Sequence, residues 1–361
     1  MNFNAPLLRP VRILLFPFSL LYGLGVWIRN KLFDKGILTS ATFNIPIIDV
    51  GNLSAGGTGK SPMVEYIVNM LKHQHKIGVL SRGYKRKTSG YALANAQSNA
   101  LEIGDEPMLL YSRHPDITVA VGEERIVALP QLLHDRPETE VIILDDAFQH
   151  RYIKAGLEIL LTDCRNLFTR DWFLPTGDLR DMRASYKRAD IIIITKCPPD
   201  LSEKERDRIV DEIKPLAHQH VFFSCIEYGT PYHLITKETR ELDSNTEVLL
   251  ISGIANPQPL KQYIARNSST YFEILYNDHH IFTIDDLKEM RKRFENMTGE
   301  RKIFITTEKD AIRLLKFGQE LQHYPFYVLP ISIRLLFGGQ ELFSGLISKF
   351  ITSFTLNKQE F

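Results

Sequence analysis

Cysteine is scarce in this chain: three in 361 residues (Cys164, Cys197 and Cys225), an odd count with no CxxC pair. That pattern supplies neither a disulfide framework nor a structural zinc site, and it suits a reducing compartment. An excess of charge of either sign is also missing. Lys plus Arg total 44 against 43 Asp plus Glu, a formal net charge of +1, so no global basic field draws the chain to nucleic acid. Nor is there a long apolar run. The uncharged stretch from Ile13 to Ile28 has 16 residues and holds Pro17, Gly23 and Gly25, whereas a membrane-spanning helix needs about 20. No repeat of fixed period and no low-complexity segment is visible. Hydrophobic residues make up 44% and charged residues 24%, which excludes collagen-like, disordered and multi-span membrane classes. At roughly 150 residues per domain the length suggests two domains, each able to bury its own core.

The short apolar run near the N-terminus is still informative. No small-residue cleavage site follows it, and Arg29 and Lys31 come after it, so a signal peptide fits poorly. Two readings stand. In one, a helix lies in the bilayer interface, with Arg9, Arg12, Arg29 and Lys31 at anionic headgroups and Phe16, Phe18, Leu21, Tyr22 and Trp27 in the acyl boundary. In the other, an amphipathic helix packs on the protein's own core.

From Thr42 onward short β-branched runs alternate with helical stretches. The runs are IPIIDVG (45–51), KIGVLS (76–81), ITVAVG (117–122), VIILDD (141–146), LEILLTD (157–163) and DIIIITK (190–196), and MVEYIVNMLKHQ (63–74) is one of the helices between them. Continuous apolar strands separated by helices predict a parallel sheet covered on both faces. A second series follows in EVLLISGI (247–254), KIFITTE (302–308) and FYVLPI (326–331), with the helical IDDLKEMRKRFENM (284–297) among them. The polar, turn-rich stretch near 226–246 is the expected boundary, and LFSGLISKFITSF (342–354) reads as a packing helix.

The first strand runs into GNLSAGGTGKSP (51–62) and then a helix. A phosphate loop needs small residues so that backbone N–H groups can close around phosphate oxygens. It also needs a Lys for the terminal phosphates and a hydroxyl for Mg²⁺, at a helix N-terminus whose dipole favours anions. Ser54, Ala55, Gly56, Gly57, Thr58, Gly59, Lys60 and Ser61 offer this cradle, with Ser54 where the first Gly of the usual pattern stands. An incidental Gly-rich turn is the bland alternative, and the strand–loop–helix context favours nucleotide binding. At the end of VIILDD, Asp145 and Asp146 can hold Mg²⁺ beside the loop, or merely cap a helix. ITKCPPD (194–200) has Pro198 where a guanine-reading loop wants Asp, so ATP is expected rather than GTP. An acceptor must also be oriented or deprotonated. Candidates are Asp105 and Glu106 in a turn at GDEP (104–107), and Asp278, His279 and His280 in NDHHIF (277–282). Arg82, Lys85 and Arg86 in SRGYKR could hold an anionic substrate, or form a solvated turn.

Together, VGNLSAGGTGKSP, LSRGYKR, GDEP, DDAFQHR, PTGDLRD (175–181), TKCP, DHH and TTEKDAIR (306–313) resemble the tetraacyldisaccharide 4'-kinase (lipid A 4'-kinase) family of Gram-negative bacteria. The resemblance runs from about residue 5 to about residue 335 and rests on the ordered set of motifs. It implies a membrane-associated α/β kinase that uses ATP and Mg²⁺ to phosphorylate the 4'-hydroxyl of an acylated glucosamine disaccharide 1-phosphate. The implied plan is an N-terminal membrane-associated helix (1–33), a P-loop kinase domain with a parallel sheet (34–226), a smaller second α/β domain (227–331) and a C-terminal helix packing back on the kinase domain (332–361).

By the same resemblance Lys60 and Ser61 meet the ATP phosphates and Mg²⁺, and Asp145 and Asp146 occupy the metal position. Asp105 matches the catalytic base and His279 its partner from the second domain; the two-domain pattern itself predicts that closure over ATP brings the two together. Arg82 joins Glu106, His150, Arg151 and Arg180 as expected substrate contacts. Departures are Ser54-Ala55, Ala147 where Gly is usual, and Asp178 where Pro is frequent. A diacylated sugar leaves a bilayer at a cost of about 0.8 kcal/mol per CH₂. The enzyme is therefore expected at the cytoplasmic face of the inner membrane, where ATP is available. Two other functions would use the same loop: an ATPase switch or chaperone, and a membrane-peripheral nucleotide-binding module.

Overall fold

The computed structural model describes residues 9–359, with side chains from Arg12 to Phe354. Residues 1–8 and 360–361, at the outer ends of the expected N- and C-terminal segments, lie outside it, as does the Arg9 side chain. The chain opens with α1 (Arg9–Leu14) and α2 (Phe16–Asp34). Next come β1 (Ile47–Asn52), α3 (Lys60–Leu71), β2 (Ile77–Ser81), β3 (Ala92–Leu93), α4 (Ala100–Ile103) and α5 (Asp105–Arg113). The first unit continues through β4 (Thr118–Val121), α6 (Arg125–Asp135), β5 (Val141–Asp145), β6 (Leu157–Asp163), β7 (Ile191–Thr195), α7 (Glu203–Ile213) and β8 (His220–Tyr228). A second unit holds β9 (Tyr232–His233), β10 (Glu247–Ser252), α8 (Gln258–Asn267), β11 (Thr270–Leu275), α9 (Ile284–Glu295), β12 (Lys302–Thr307), α10 (Glu308–Leu314), α11 (Gly318–Leu321) and β13 (Phe326–Leu329). The chain then ends on β14 (Ile331–Leu335) and α12 (Gln340–Gln359).

Among the described residues the strands form two sheets. The larger has the order β14-β8-β7-β6-β1-β5-β2-β4-β3 and the smaller β11-β10-β12-β13-β9. Central strands are parallel, with Ile48 of β1 opposite Ile143 of β5 and Leu157 of β6. Every residue of β1, β5, β7 and β10 is buried, as a sheet covered by helices on both faces requires. Helices start where their sequences cap them. Ser202 with Glu205 opens α7, and Thr283 with Asp286 opens α9, each as a reciprocal capping box.

The chain crosses between the two units twice, once in the polar stretch after β8 and once before β14. The chain leaves the large sheet after β8 and returns to it through β14, which pairs antiparallel with β8. The two crossings lie side by side, since the Gly229 N–H donates to the Pro330 carbonyl at 3.0 Å. Residues 331–335 therefore belong to the large sheet. From there α12 buries Phe343, Ile347 and Ile351 in the same core as Ile48, Val50 and Met63.

The N-terminal helix is packed inside out relative to an ordinary surface helix. Its docked face is small or polar: Ser19, Gly23 and Asn30 are buried along with Phe33. Ser19 Oγ donates to the Phe173 carbonyl (3.0 Å), Asn30 Nδ2 to Asp181 Oδ1 (2.6 Å), and a Cβ on Gly23 would sit 2.7 Å from the Phe173 ring. Phe18, Leu20, Leu21, Leu24, Trp27 and Ile28 face outward. Among the described residues no helix is long and apolar enough to cross a membrane.

Candidate active site

The carboxyl ends of β1, β2, β5, β6 and β7 converge on one edge of the large sheet, the place where parallel α/β sheets bind ligands. The β1–α3 loop runs from Leu53 to Gly59, and Gly56 and Gly59 hold left-handed φ of 107° and 86° that side chains resist. Gly56 and Gly57 are exposed, and a Cβ on either would meet nothing within 4 Å. The loop thus has an open face, bordered by the unpaired first-turn N–H groups of α3. Its other face is tied down. Thr195 Oγ1 donates to the Thr58 carbonyl (2.7 Å), Lys196 Nζ donates to the Gly57 carbonyl, and Asn52 Nδ2 donates to Thr58 Oγ1 (2.8 Å). Residues 178–180 edge the loop as a strap, with the Ala55 N–H on the Asp178 carbonyl (2.6 Å) and the Arg180 N–H on the Leu53 carbonyl (2.7 Å). Ser54 Oγ reaches Asp171 at 3.4 Å.

Asp145 ends β5, and Asp146 follows it with a φ of 58°. Lys60 Nζ lies 3.6 Å from Asp146 Oδ1, and Arg180 grips both Asp146 oxygens at 2.7 and 3.2 Å. Burial pushes the Asp146 carboxyl up, but Lys60 and Arg180 outweigh it and hold the group down at about 2. Asp145 is the opposite case. Burial, then Glu106 and Asp146, raise it to about 7 against the pull of Lys60. Its Oδ1 is buried with no hydrogen-bond partner. An unsatisfied carboxylate oxygen beside a second carboxylate, within reach of a nucleotide loop, fits a Mg²⁺ that takes most of its remaining ligands from water and phosphate. Asp145, Asp146 and the Ser61 hydroxyl are the residues that would hold it.

A small cleft lined by Ser81, Tyr84, Asp105, Glu106, Pro107 and His279 adjoins this pair. Ser81 and Glu106 of this cleft both act on the Asp145 carboxyl, Glu106 pushing it up and Ser81 holding it down, so the cleft and the acidic pair are neighbours. Asp105 is not in a simple turn: it is the first residue of α5, where the helix dipole favours an anion. His279 comes from the second unit with a left-handed φ of 65°, and its Nδ1 lies 2.8 Å from Asp105 Oδ2. This contact is already made here. Burial works against ionisation of Asp105, yet the hydrogen bonds of His279 and Arg313 prevail and hold the carboxyl well below the usual carboxylate range.

The remaining expected contacts divide. Glu106 faces Asp145 and stands 3.9 Å from Lys309 Nζ. His150 sits among Arg125, Arg82 and Arg29; burial and these cations lower its pKa to about 4, so the ring is neutral at pH 7. Arg82 is exposed at the same edge. Arg180 is there too, bound to Asp146 and Asn52. Two basic residues are engaged elsewhere. Arg151 holds the end of α2, through Asp34 at 2.9 Å and the Asn30 carbonyl at 3.0 Å. Arg86 is paired with Glu123 at 2.7 Å.

With the geometry in place, comparison with known proteins decides the lineage. A family model described as Tetraacyldisaccharide-1-P 4'-kinase matches residues 11–351. The chain belongs to this family. Among curated relatives, the tetraacyldisaccharide 4'-kinase of Bacteroides thetaiotaomicron is 41% identical over 358 residues, 95% of this chain and 94% of the relative. The Flavobacterium johnsoniae protein of the same name is 44% identical, covering 94% and 97%. The fold is shared with a crystal structure of LpxK from Aquifex aeolicus, described as an "apo" form in complex with ATP. The TM-score is 0.73 at 28% identity, over 94% of this chain and 99% of that one.

Three members of the kinase site went unassigned in the sequence reading. Arg125 is 1% exposed, with Nη2 3.5 Å from the Asp145 carbonyl; a fully buried arginine has no signature in a row of letters. Lys309 and Arg313 of α10 flank His279, Lys309 Nζ lying 3.3 Å from Nε2. Both stand in TTEKDAIR, and the usable signal was two cations four apart on a helix opened by a strand.

Proposed function

We propose that this protein is an ATP-dependent kinase that transfers the γ-phosphoryl group of ATP to the 4'-hydroxyl of a tetraacyldisaccharide 1-phosphate. Family membership supplies the substrate class. The observation that carries the chemistry is the shared wall between a phosphate loop with its acidic pair and a cleft holding a clamped carboxylate, Asp105.

The loop amides and Lys60 bind and orient the triphosphate, and Asp105 orients the acceptor hydroxyl. A bond forms between the 4'-oxygen and the γ-phosphorus while the bond from that phosphorus to the β,γ-bridging oxygen breaks. ADP leaves with the electron pair, and the hydroxyl proton passes to Asp105. Bound Mg²⁺ supplies neutralisation of the phosphate charge. Lys60, beside Asp146, supplies a further positive charge.

We also propose that the enzyme works at the cytoplasmic face of the inner membrane, lying in the interface without spanning it. The support is the outward face of α1 and α2. Ile13, Leu14, Phe18, Leu20, Leu21 and Leu24 are each more than half exposed, an arrangement that costs nothing only against an apolar medium.

Incubating the purified chain with γ-labelled ATP and tetraacyldisaccharide 1-phosphate in mixed micelles tests the reaction. Label is expected in the disaccharide lipid. Label released only as inorganic phosphate would make the protein an ATPase, and no turnover would leave it a binding module.

A further inference from the structure

Two short helices meet across the junction between the units, and their charges are complementary at both ends. Asp105, first in α5, pairs with Arg313 near the end of α10, at 2.5 Å. Arg113, last in α5, pairs with Glu308, first in α10, at 3.1 Å. Two ion pairs of opposite polarity fix the helices antiparallel and in one register.

The Asp105 end does more than latch. Arg313 Nε donates to Oδ1 at 3.0 Å and Nη2 to Oδ2 at 2.5 Å, a bidentate fork. His279 Nδ1 takes a second site on Oδ2 at 2.8 Å. A carboxylate has about four acceptor sites, so among the described residues one is left, on Oδ1. Arg313 is itself braced from behind. Its Nη1 lies 3.4 Å from Asp310 Oδ1, and Asp310, fully buried, is fixed by the Gly253 N–H (2.9 Å) and Thr307 Oγ1 (2.8 Å). The fork therefore cannot swing, and its side chain is only 7% exposed.

We propose that Arg313 is a positioning residue for phosphoryl transfer: it fixes the plane of the Asp105 carboxylate and reserves the remaining site on Oδ1 for the acceptor hydroxyl. A free carboxylate rotates and offers any of its sites; a clamped one offers one. The guanidinium also makes Asp105 a weaker base, which suits a loose transition state in which little proton transfer is needed before the phosphoryl group moves. Lysine at this position would keep the charge and lose the fork. Arg313 can act this way only if Asp105 is the base, the role proposed above.

The test uses the full chain, with ATP and the micellar lipid, from about pH 5.5 to about pH 8.5. Arg313→Gln is expected to lower kcat about 10- to 100-fold with KM for ATP within about twofold, and to move the acid side of the kcat profile to higher pH than in the parent. Arg313→Lys should reverse that shift yet stay several-fold below the parent, separating charge from orientation. Arg113→Gln, at the other end of the clasp, should lower the melting temperature and leave the pH profile in place. A pH-independent loss equal in R313Q and R113Q would reduce Arg313 to a latch and overturn the proposal. So would an R313K enzyme as fast as the parent, which keeps the test decisive if R313Q fails to fold. Full activity in Asp105→Asn would remove the base and the positioning role together, whereas an inactive D105N beside an unchanged R313Q would sink the positioning role alone.

Discussion

Two carboxylates within one site carry different electrostatic loads, and each load predicts a different phenotype. Asp105 is ionised and clamped, so Asp105→Ala should depress kcat by about 10²- to 10⁴-fold while leaving the affinity for a non-hydrolysable ATP analogue unchanged; a matching loss of analogue affinity would relocate Asp105 to the nucleotide. Asp145 is held high by burial, with one oxygen unpaired. A group whose pKa rises on folding loses stability as pH climbs from the ordinary carboxylate range through about 7. Asp145→Asn removes that charge. The nucleotide-free variant should therefore melt higher than the parent, by more at pH 8 than at pH 6, although its kinase activity falls, a trade of stability for function. Calorimetry at the two pH values checks this, and a lower melting temperature at pH 8 would mean that the Asp145 charge is compensated by groups other than a metal.

Between elements, the clasp of α5 with α10 is also a pH-dependent contact. Glu308 is raised to about 7: burial leads, Arg113 and the Ile331 N–H oppose it, Glu65 of α3 adds to it and Lys237 opposes it, while Tyr232 faces the same carboxyl. The fold thus binds this proton more tightly than the unfolded chain does. The contribution is present below the ordinary carboxylate range and is lost as pH rises through about 7. Between pH 6 and pH 8 the melting temperature of the parent should fall more steeply than that of Glu308→Gln; equal slopes would show that Glu308 ionises freely. The same elements show what a sequence can and cannot say. Strands such as β1, β7 and β10 were readable because a strand buried on both faces is an unbroken apolar run. The ISIRL of β14 was not, since an antiparallel edge strand half exposed has a weak pattern and its partner β8 lies in a distant part of the chain. The phosphate loop was legible because its chemistry is local, all within 54–61. Arg313 was not, because it meets Asp105 across 208 residues; Arg151 read as a substrate contact, and Arg86 as a substrate cation or part of a solvated turn, although the fold pairs them with Asp34 and Glu123.

For the molecule as a whole, the N-terminal helix has two faces with separable tasks. Its inner face reaches the phosphate loop through the 178–180 strap: Arg12 binds Asp178 at 2.8 Å, the Tyr22 hydroxyl donates to the Arg180 carbonyl at 3.0 Å, and the same strap carries the carbonyl that receives the Ala55 N–H. Among the described residues nothing covers the outer face: Leu20, Leu21 and Leu24 are each more than half exposed. Leu20→Glu with Leu24→Glu, one turn apart on that outer face, should weaken co-sedimentation with anionic phospholipid vesicles about tenfold or more, with ATP-analogue affinity unchanged because Ser19, Gly23 and Asn30 stay docked. Removing residues 1–34 should do both: release the chain from vesicles and, by freeing the strap, weaken the analogue. If the truncated chain binds the analogue as well as the parent does, the strap is no support for the loop; if the double glutamate variant stays on vesicles, the membrane contact lies on another surface. Joined in one helix, the two faces give a reason why a helix too short in apolar residues to span a bilayer still exposes so many of them, because the side that would ordinarily bury them is occupied in holding the nucleotide site.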